Sequence, residues 1–411
     1  MSHLSRDIET ALALLPEHRK KSKRSFVLTL DDILDDYRLG LELNANAFDL
    51  CMHAYRFHHP FEAFWAQFRS KSVKPKEIRD LMLMGFAALL SRNQAPVEAV
   101  VDTFVNTTKK VFGAHTAGLT NAFLREVARS RDRLRAQLSA HPEEMLGPVL
   151  AARWDRPIAR STETLAAAMG RALLVRPPAT IGALGIDGAW SEMKSAHFLR
   201  QEEPRIAIDF SSVGFVRWLV PQLKGRPLGR VLDACAAPGG KIIAFALQPE
   251  LRDVMASTEL YATEAKFKRL TRLEQNLAKM SVRAKTALHS WGEGSPPPPA
   301  LAEPFDLILA DLPCTGLGTL ASKPDLLLED PAELLSSVAN LQVNILRDLV
   351  GRVAPGGSLA VSLCSNDPEE LERVTVELGR LLPDKKLEFW TFCGDNEGRT
   401  SQWMAAWLIR L

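Results

Sequence analysis

The sequence predicts an α/β protein in which an all-helical first part is followed by an open, doubly wound parallel sheet. Three observations predict it. Apolar positions through the N-terminal part recur at three- and four-residue spacing. From about residue 228 short apolar runs take over, each followed by helical periodicity. At 411 residues, 46% of them hydrophobic, the chain is long enough for two or three domains with cores of their own.

In residues 1–142 helices are expected in AFDLCMHAYRFHHPFEAFWAQF, KEIRDLMLMGFAALLSR, PVEAVVDTFVNTTKKVF and TAGLTNAFLREVARSRDRLRAQL, separated by KSVKP, NQAP and FGAHTAG. Residues 143–225 mix patterns and carry turn punctuation at RPPATIGALGIDG and VPQLKGRPLG, so they are read as a linking region. Over 226–411 the runs RVLDA, LYATE, FDLILAD and GGSLAVSLCS are expected strands, each leading into a helix.

Charge excludes one class outright. A net charge of only +2 does not suit a uniformly basic, nucleic-acid-coating protein, although HRKKSKR (18–24), KSVKPK (71–76) and KFKR (266–269) are local basic clusters. Such runs are usually solvated faces, with phosphate contact the alternative. The start, MSHLSRDIETALALL, lacks a basic segment followed by an apolar core, and no later run has the length and purity of a membrane helix. A cytoplasmic location is therefore expected. Cys51, Cys235, Cys314, Cys364 and Cys393 form no C-x-x-C pair and no Cys/His ligand spacing, which argues against structural zinc, other metal sites and a disulfide framework.

In open α/β sheets ligands gather at the carboxyl ends of the strands. RVLDA runs into Cys235-Ala236-Ala237-Pro238-Gly239-Gly240-Lys241, whose glycines permit backbone angles closed to other residues and a close ligand approach. The same pattern also serves as a plain strand-to-helix turn. A G-x-G-x-x-G dinucleotide fingerprint is absent. LYATE ends on Glu264, placed to accept ribose hydroxyls or to favour the helix N-terminus behind it. Together the glycine turn and Glu264 suggest a nucleoside ligand. The cofactor class that uses such a sheet without the pyrophosphate fingerprint is S-adenosylmethionine.

FDLILAD ends on Asp311-Leu312-Pro313-Cys314, and GGSLAVSLCS carries Cys364 followed by Ser365-Asn366-Asp367. One cysteine at a strand end is usually a small buried hydrophobe. Two at neighbouring strand ends beside a methyl donor suit methylation at C5 of a pyrimidine, where a thiolate must first add at C6. Either thiol could be that nucleophile. Asp311 is placed to bond the N3/N4 edge of cytosine. Lys241 either orients Asp311, or stabilises the thiolate, or is an exposed helix-start lysine.

DACAAPGGK, ADLPCTGLG and SLCSNDPEELE resemble, in order and spacing, the three signature motifs of the Sun-type RNA cytosine-5 methyltransferases. The resemblance implies that Cys364 is the nucleophile and that Cys314 assists breakdown of the covalent adduct. It places cofactor contacts on Cys235, Ala236, Ala237, Pro238, Gly239, Gly240, Lys241, Glu264 (Asp in most of the family), Ser290 and Asp311. The helical part from AYRFHHPFEAFWAQF to TNAFLREVARS resembles the NusB-like domain that precedes the catalytic domain in bacterial small-subunit rRNA members, and RALLVRPPAT resembles their link. The implied architecture is a Rossmann-like S-adenosylmethionine methyltransferase domain behind an all-α NusB-like RNA-binding domain.

The sequence departs from the family pattern in places. Ser290 replaces an aspartate, and the nucleophile motif reads Val361-Ser362-Leu363-Cys364-Ser365 with Leu371-Glu372 instead of Tyr-Ser-Thr-Cys-Ser with Asn-Glu. Ala321 and Ser322 replace two basic residues, and Thr400-Ser401-Gln402-Trp403 stands near the family's Asp-Gly-Phe-Phe. The expected substrate is 16S rRNA. The same reaction on tRNA, or a degenerate rRNA-binding assembly factor without catalysis, are the alternatives. No DNA and no membrane partner is expected, and a monomer is.

Overall fold

The computed structural model describes residues 6–13, 15, 45–68, 75–91, 96–158, 163–175, 180–194, 204–226, 228–393 and 403–411. The chain divides into two compact units, Met1–Arg176 with Leu320–Asp330, and Pro177–Thr319 with Pro331–Leu411. The region read from sequence as a linker is thus shared out at Arg176/Pro177. Proline and glycine mark turns, and a turn inside a packed unit looks the same locally as one between units.

The first unit is helical, and its helices Ala45–Arg56, His58–Phe68, Lys76–Leu90, Val97–Phe112 and Ala114–Ala140 fall on the periodic runs. Aromatic side chains fill its core: the Phe123 ring lies 5.7 Å from Phe61, 5.8 Å from Phe64 and 5.4 Å from Trp65. The basic run of the long helix is partly structural. Arg131 donates to the Leu89 carbonyl (2.8 Å), and Arg135 to those of Leu90 (3.1 Å) and Ser91 (2.6 Å). These cations satisfy carbonyls left open at the end of Lys76–Leu90. Leu320–Asp330 belongs to this unit although it lies far along the chain. Arg56 holds it by donating to the Ala321 carbonyl at 2.8 Å, and the Ala321 side chain is buried. The clusters 18–24 and 71–74, the link residues 176–179 and Thr400–Gln402 lie outside the described residues.

The second unit opens with a small antiparallel sheet of β1 (Thr180–Gly185), β2 (Trp190–Lys194) and β3 (Arg205–Ala207), in the order β2-β1-β3. Its main sheet contains β4 (Arg230–Asp233), β5 (Glu259–Glu264), β6 (Lys285–Leu288), β7 (Phe305–Asp311), β8 (Val353–Leu363), β9 (Leu387–Phe392) and β10 (Met404–Arg410), ordered β6-β5-β4-β7-β8-β10-β9. Pairs β4–β5, β4–β7, β5–β6 and β7–β8 are parallel. The expected doubly wound parallel sheet is present in these strands, and β10 adds an antiparallel strand by pairing with both β8 and β9. Strand direction leaves no trace in a run such as MAAWLI, which is apolar because both its faces are covered.

Alternate residues of each central strand enter two separate cores. Val231, Leu307, Leu309 and Ala360 pack with helices Phe210–Leu219, Gly240–Ala246 and Phe267–Lys279. Leu232, Ile308, Ala310 and Val361 pack with Pro331–Val350 and Pro368–Leu381. This two-sided burial explains the near-continuous hydrophobicity of FDLILA. The strand order reverses between β4 and β7, the switch point where such sheets bind ligands. Among the described residues no helix is long and apolar enough to cross a membrane.

Candidate active site

The loop after β4 is fastened through its carbonyls. Thr263 Oγ1 donates to the Ala234 carbonyl (2.7 Å), Arg269 to that of Ala237 (2.8 Å) and Asn276 to that of Pro238 (2.8 Å). Arg269 belongs to the KFKR cluster, so that cluster includes a structural member. Gly239 adopts φ +102°, and a Cβ there would meet Leu273 Cδ1 at 2.9 Å. Both the backbone angle and the packing beneath the loop therefore demand glycine.

Glu264, at the end of β5, is 4% exposed. Its Oε1 accepts the Lys266 N–H at 3.1 Å, and its Oε2 lies 3.5 Å from Arg269. The helix-start reading accounts for one of its bonds, and the carboxylate has acceptor sites to spare after that N–H and one cation. Ser290 follows β6 and is half-buried. It stands at the edge of the sheet, with β5, β4 and β7 between its strand and β8.

The thiol side lies at the ends of β7 and β8, which pair Asp311 with Ser362. Asp311 Oδ2 accepts Lys241 Nζ at 2.7 Å, and Oδ1 accepts Ser362 Oγ at 2.8 Å. Lys241 is buried, so it is not an exposed helix-start lysine; it pairs with Asp311. The loop bearing Cys314 folds onto the one bearing Cys364. Gly318 N–H donates to the Cys364 carbonyl at 3.1 Å, and a Cβ on Gly318 would meet the Trp403 carbonyl at 2.2 Å. Trp403 N–H donates to the Gly318 carbonyl at 2.7 Å, so the end of the altered C-terminal motif buttresses this junction.

Behind the two loops sits a buried carboxyl that sequence reasoning missed. Glu370 accepts from Thr315 N (3.0 Å), Thr315 Oγ1 (2.6 Å) and Gln342 Nε2 (2.9 Å), while Gln342 Nε2 also donates to the Pro313 carbonyl (2.9 Å). Asp367 caps the helix Pro368–Leu381 by accepting the Glu370 N–H. The spacing Asp367-Pro368-Glu369-Glu370 resembles a capping box.

Asp233 was also missed, although it opens DACAAPGGK. It is 2% exposed, and its Oδ1 has no partner among the described residues. Burial pushes its carboxyl up to about 7, with Lys241 pulling the other way. For Lys241, burial alone would lower the ammonium, yet Asp311 followed by Cys364 outweighs it and the net direction is up. Burial, then Glu370, Cys364 and Asp311, pushes the Cys314 thiol well up. Burial, then Asp233, raises that of Cys235. Cys314 is therefore held as a neutral thiol, within the field of Cys364. Among the described residues no group of three or more His, Cys, Asp or Glu side chains is placed to hold a metal ion.

Comparison with known proteins agrees with this layout. Residues 219–402 match the family described as 16S rRNA methyltransferase RsmB/F, and residues 9–129 match the NusB family. The chain is 26% identical over 349 residues to ribosomal RNA small subunit methyltransferase B of Klebsiella pneumoniae, spanning 78% of this chain and 77% of that protein. It is 27% identical over 383 residues to the protein of the same name from Xylella fastidiosa, spanning 86% and 85%. The crystal structure of PH0851 shares the fold over the whole of both chains, with a TM-score of 0.62 at 15% identity. A NusB-type helical module and a seven-stranded methyltransferase sheet thus stand in one chain, whose second part matches the RsmB/F methyltransferase family and whose first part matches the NusB family.

Proposed function

We propose that this protein methylates C5 of a cytosine in 16S rRNA through a covalent adduct between Cys364 and C6 of the base. What supports the reading most is the pair of thiols at the ends of the adjacent strands β7 and β8, with the hydrogen-bonded Lys241–Asp311–Ser362 chain beside them.

S-adenosylmethionine fits the residues present. Glu264 offers acceptors for ribose hydroxyls, and the orphaned Oδ1 of Asp233 suits a cationic donor. Cys235–Lys241 would line its loop, with Ser290 at the adenine end. When bound, this cofactor supplies an electrophilic methyl group. Cys364 adds to C6 as a thiolate, which makes C5 nucleophilic. Asp311, aimed by Lys241 and Ser362, holds the N3/N4 edge of the cytosine and supports charge there. After methylation the C5 proton passes to water in the crevice, its bonding pair forms the C5–C6 double bond, and the C6–S pair returns to Cys364 as thiolate. Cys314 serves this second half. The base is extruded into the crevice from a single-stranded or opened segment, and the helical module recruits the RNA through phosphate contacts.

Bisulfite sequencing of total RNA from cells with and without this protein tests the proposal. One small-subunit rRNA cytosine should lose protection in the deletion, and a Cys364→Ala gene should not restore it. Loss at a tRNA position would move the substrate, and unchanged rRNA and tRNA would favour an assembly factor.

A further inference from the structure

A Glu in the first turn of a helix ordinarily faces water, where it favours the macrodipole at no desolvation cost. Glu370 turns inward and is completely buried. Burying a carboxyl is costly unless hydrogen bonds replace its water. Here every replacement comes from one group of residues, and they surround Cys314. Thr315 supplies its main-chain N–H and its hydroxyl, and Gln342 bridges Glu370 to the Pro313 carbonyl. Pro313 and Thr315 are the two chain neighbours of Cys314. The helix that carries Glu370 begins just behind Cys364, and Thr315 Oγ1 also lies 3.3 Å from Ser365 Oγ.

We propose that Glu370 is a positioning residue for Cys314: it grips the main chain on both sides of that thiol and ties it to the segment carrying Cys364, so that both sulfurs serve one substrate base. The role rests on the two-thiol reading above. A polar clamp suits it better than apolar packing. Hydrogen bonds to a named N–H, hydroxyl and amide fix the register of an irregular loop, whereas apolar contacts tolerate sliding. The Glu370 carboxyl also helps keep Cys314 protonated.

Alkylation of the full-length protein by iodoacetamide, read cysteine by cysteine through peptide mass spectrometry, tests the clamp without cofactor or RNA. With Glu370→Gln, Cys314 should react about fivefold faster or more, since the loop loosens and a negative neighbour is gone, while Cys364 stays within about twofold of wild type. Thr315→Val, which removes the hydroxyl's bonds but keeps Glu370 and the Thr315 N–H bond to it, should raise Cys314 labelling by a smaller factor; it carries the test alone should Glu370→Gln fail to fold. Equal acceleration of both cysteines, or of neither, would overturn the proposal. In turnover with small-subunit rRNA and cofactor, Glu370→Gln should accumulate denaturant-stable protein–RNA complex while first-turnover methylation persists. A wild type and a Cys314→Ala protein that both lack methylation and adduct would instead count against the two-thiol chemistry, and the labelling would still judge the clamp.

Discussion

The ends of β4 and β5 and the ends of β7 and β8 face the same crevice but are held in different ways. At β4 and β5 the loop is fixed from outside, by Thr263, Arg269 and Asn276 donating to its carbonyls. Carboxyl capacity is left over at Asp233 and Glu264. At β7 and β8 the polar groups are turned on each other: Asp311 takes Lys241 and Ser362, Glu370 takes Thr315 and Gln342, and Gly318 closes on the Cys364 carbonyl. On the proposed reading, the difference separates a half that binds from a half that reacts. A binding half keeps acceptors for a ligand to satisfy, whereas a reacting half must hold two sulfurs in place before any ligand arrives.

The largest effect should come from breaking the reacting half at its cation. Lys241→Met leaves Asp311 facing Asp233 without the ammonium between them, and should lower unfolding free energy by about 2–4 kcal/mol, since stranding one member of a buried pair costs more than the pair contributes. The denaturant midpoint should fall at unchanged m. Adding Asp311→Asn should recover part of the loss, a coupling that only direct contact produces.

A smaller effect is expected in the binding half. Glu264→Ala should weaken S-adenosylmethionine by about 1.5–3 kcal/mol, measured by isothermal titration. Stability should drop as well, by about 1 kcal/mol, because Glu264 also accepts the Lys266 N–H. Normal affinity in the folded protein would assign Glu264 to the helix start alone.

The mildest test sharpens the contrast through pH. Asp233 has a folded pKa near 7, above its ordinary value of 3.8. The folded protein therefore keeps a proton that the unfolded chain has lost, and the stability this confers is full below about 4 and is lost as pH rises through about 7. Asp233→Asn, neutral at every pH, should gain on wild type by about 1–3 kcal/mol between pH 5 and pH 8 in cofactor-free protein. A difference that does not change with pH would remove Asp233 from the set of strained ligand-binding groups.

Local pattern made much of this molecule legible. RVLDA, LYATE, FDLILAD and GGSLAVSLCS became β4, β5, β7 and β8, and the helical runs fell on helices, because burial on one stripe or on two faces leaves a period in the chain. The capture of Leu320–Asp330 by the helical unit left no such period, since an Arg56 bond to the Ala321 carbonyl uses a backbone group that every residue carries. The insertion of β10 against its neighbours was hidden for the same kind of reason. Among site residues, Cys314, Cys364, Asp311 and Lys241 could be singled out because thiols, an acid and a cation at strand ends have few plain uses. Glu370 could not, for its meaning lies in Thr315, 55 positions away. Asp233 stood in a quoted motif, yet only burial distinguishes an acid with an unpartnered oxygen from a solvated one.

The central claim is that the two thiols serve successive halves of one covalent cycle, and a denaturing gel of single mutants with cofactor and a small-subunit rRNA fragment tests it most directly. Cys364→Ala should give neither methylation nor adduct, since C5 is never activated. Cys314→Ala should methylate once and stall as a protein–RNA complex that survives denaturation, and the double mutant should behave like Cys364→Ala. An adduct with Cys364→Ala and none with Cys314→Ala would reverse the two roles and contradict the account.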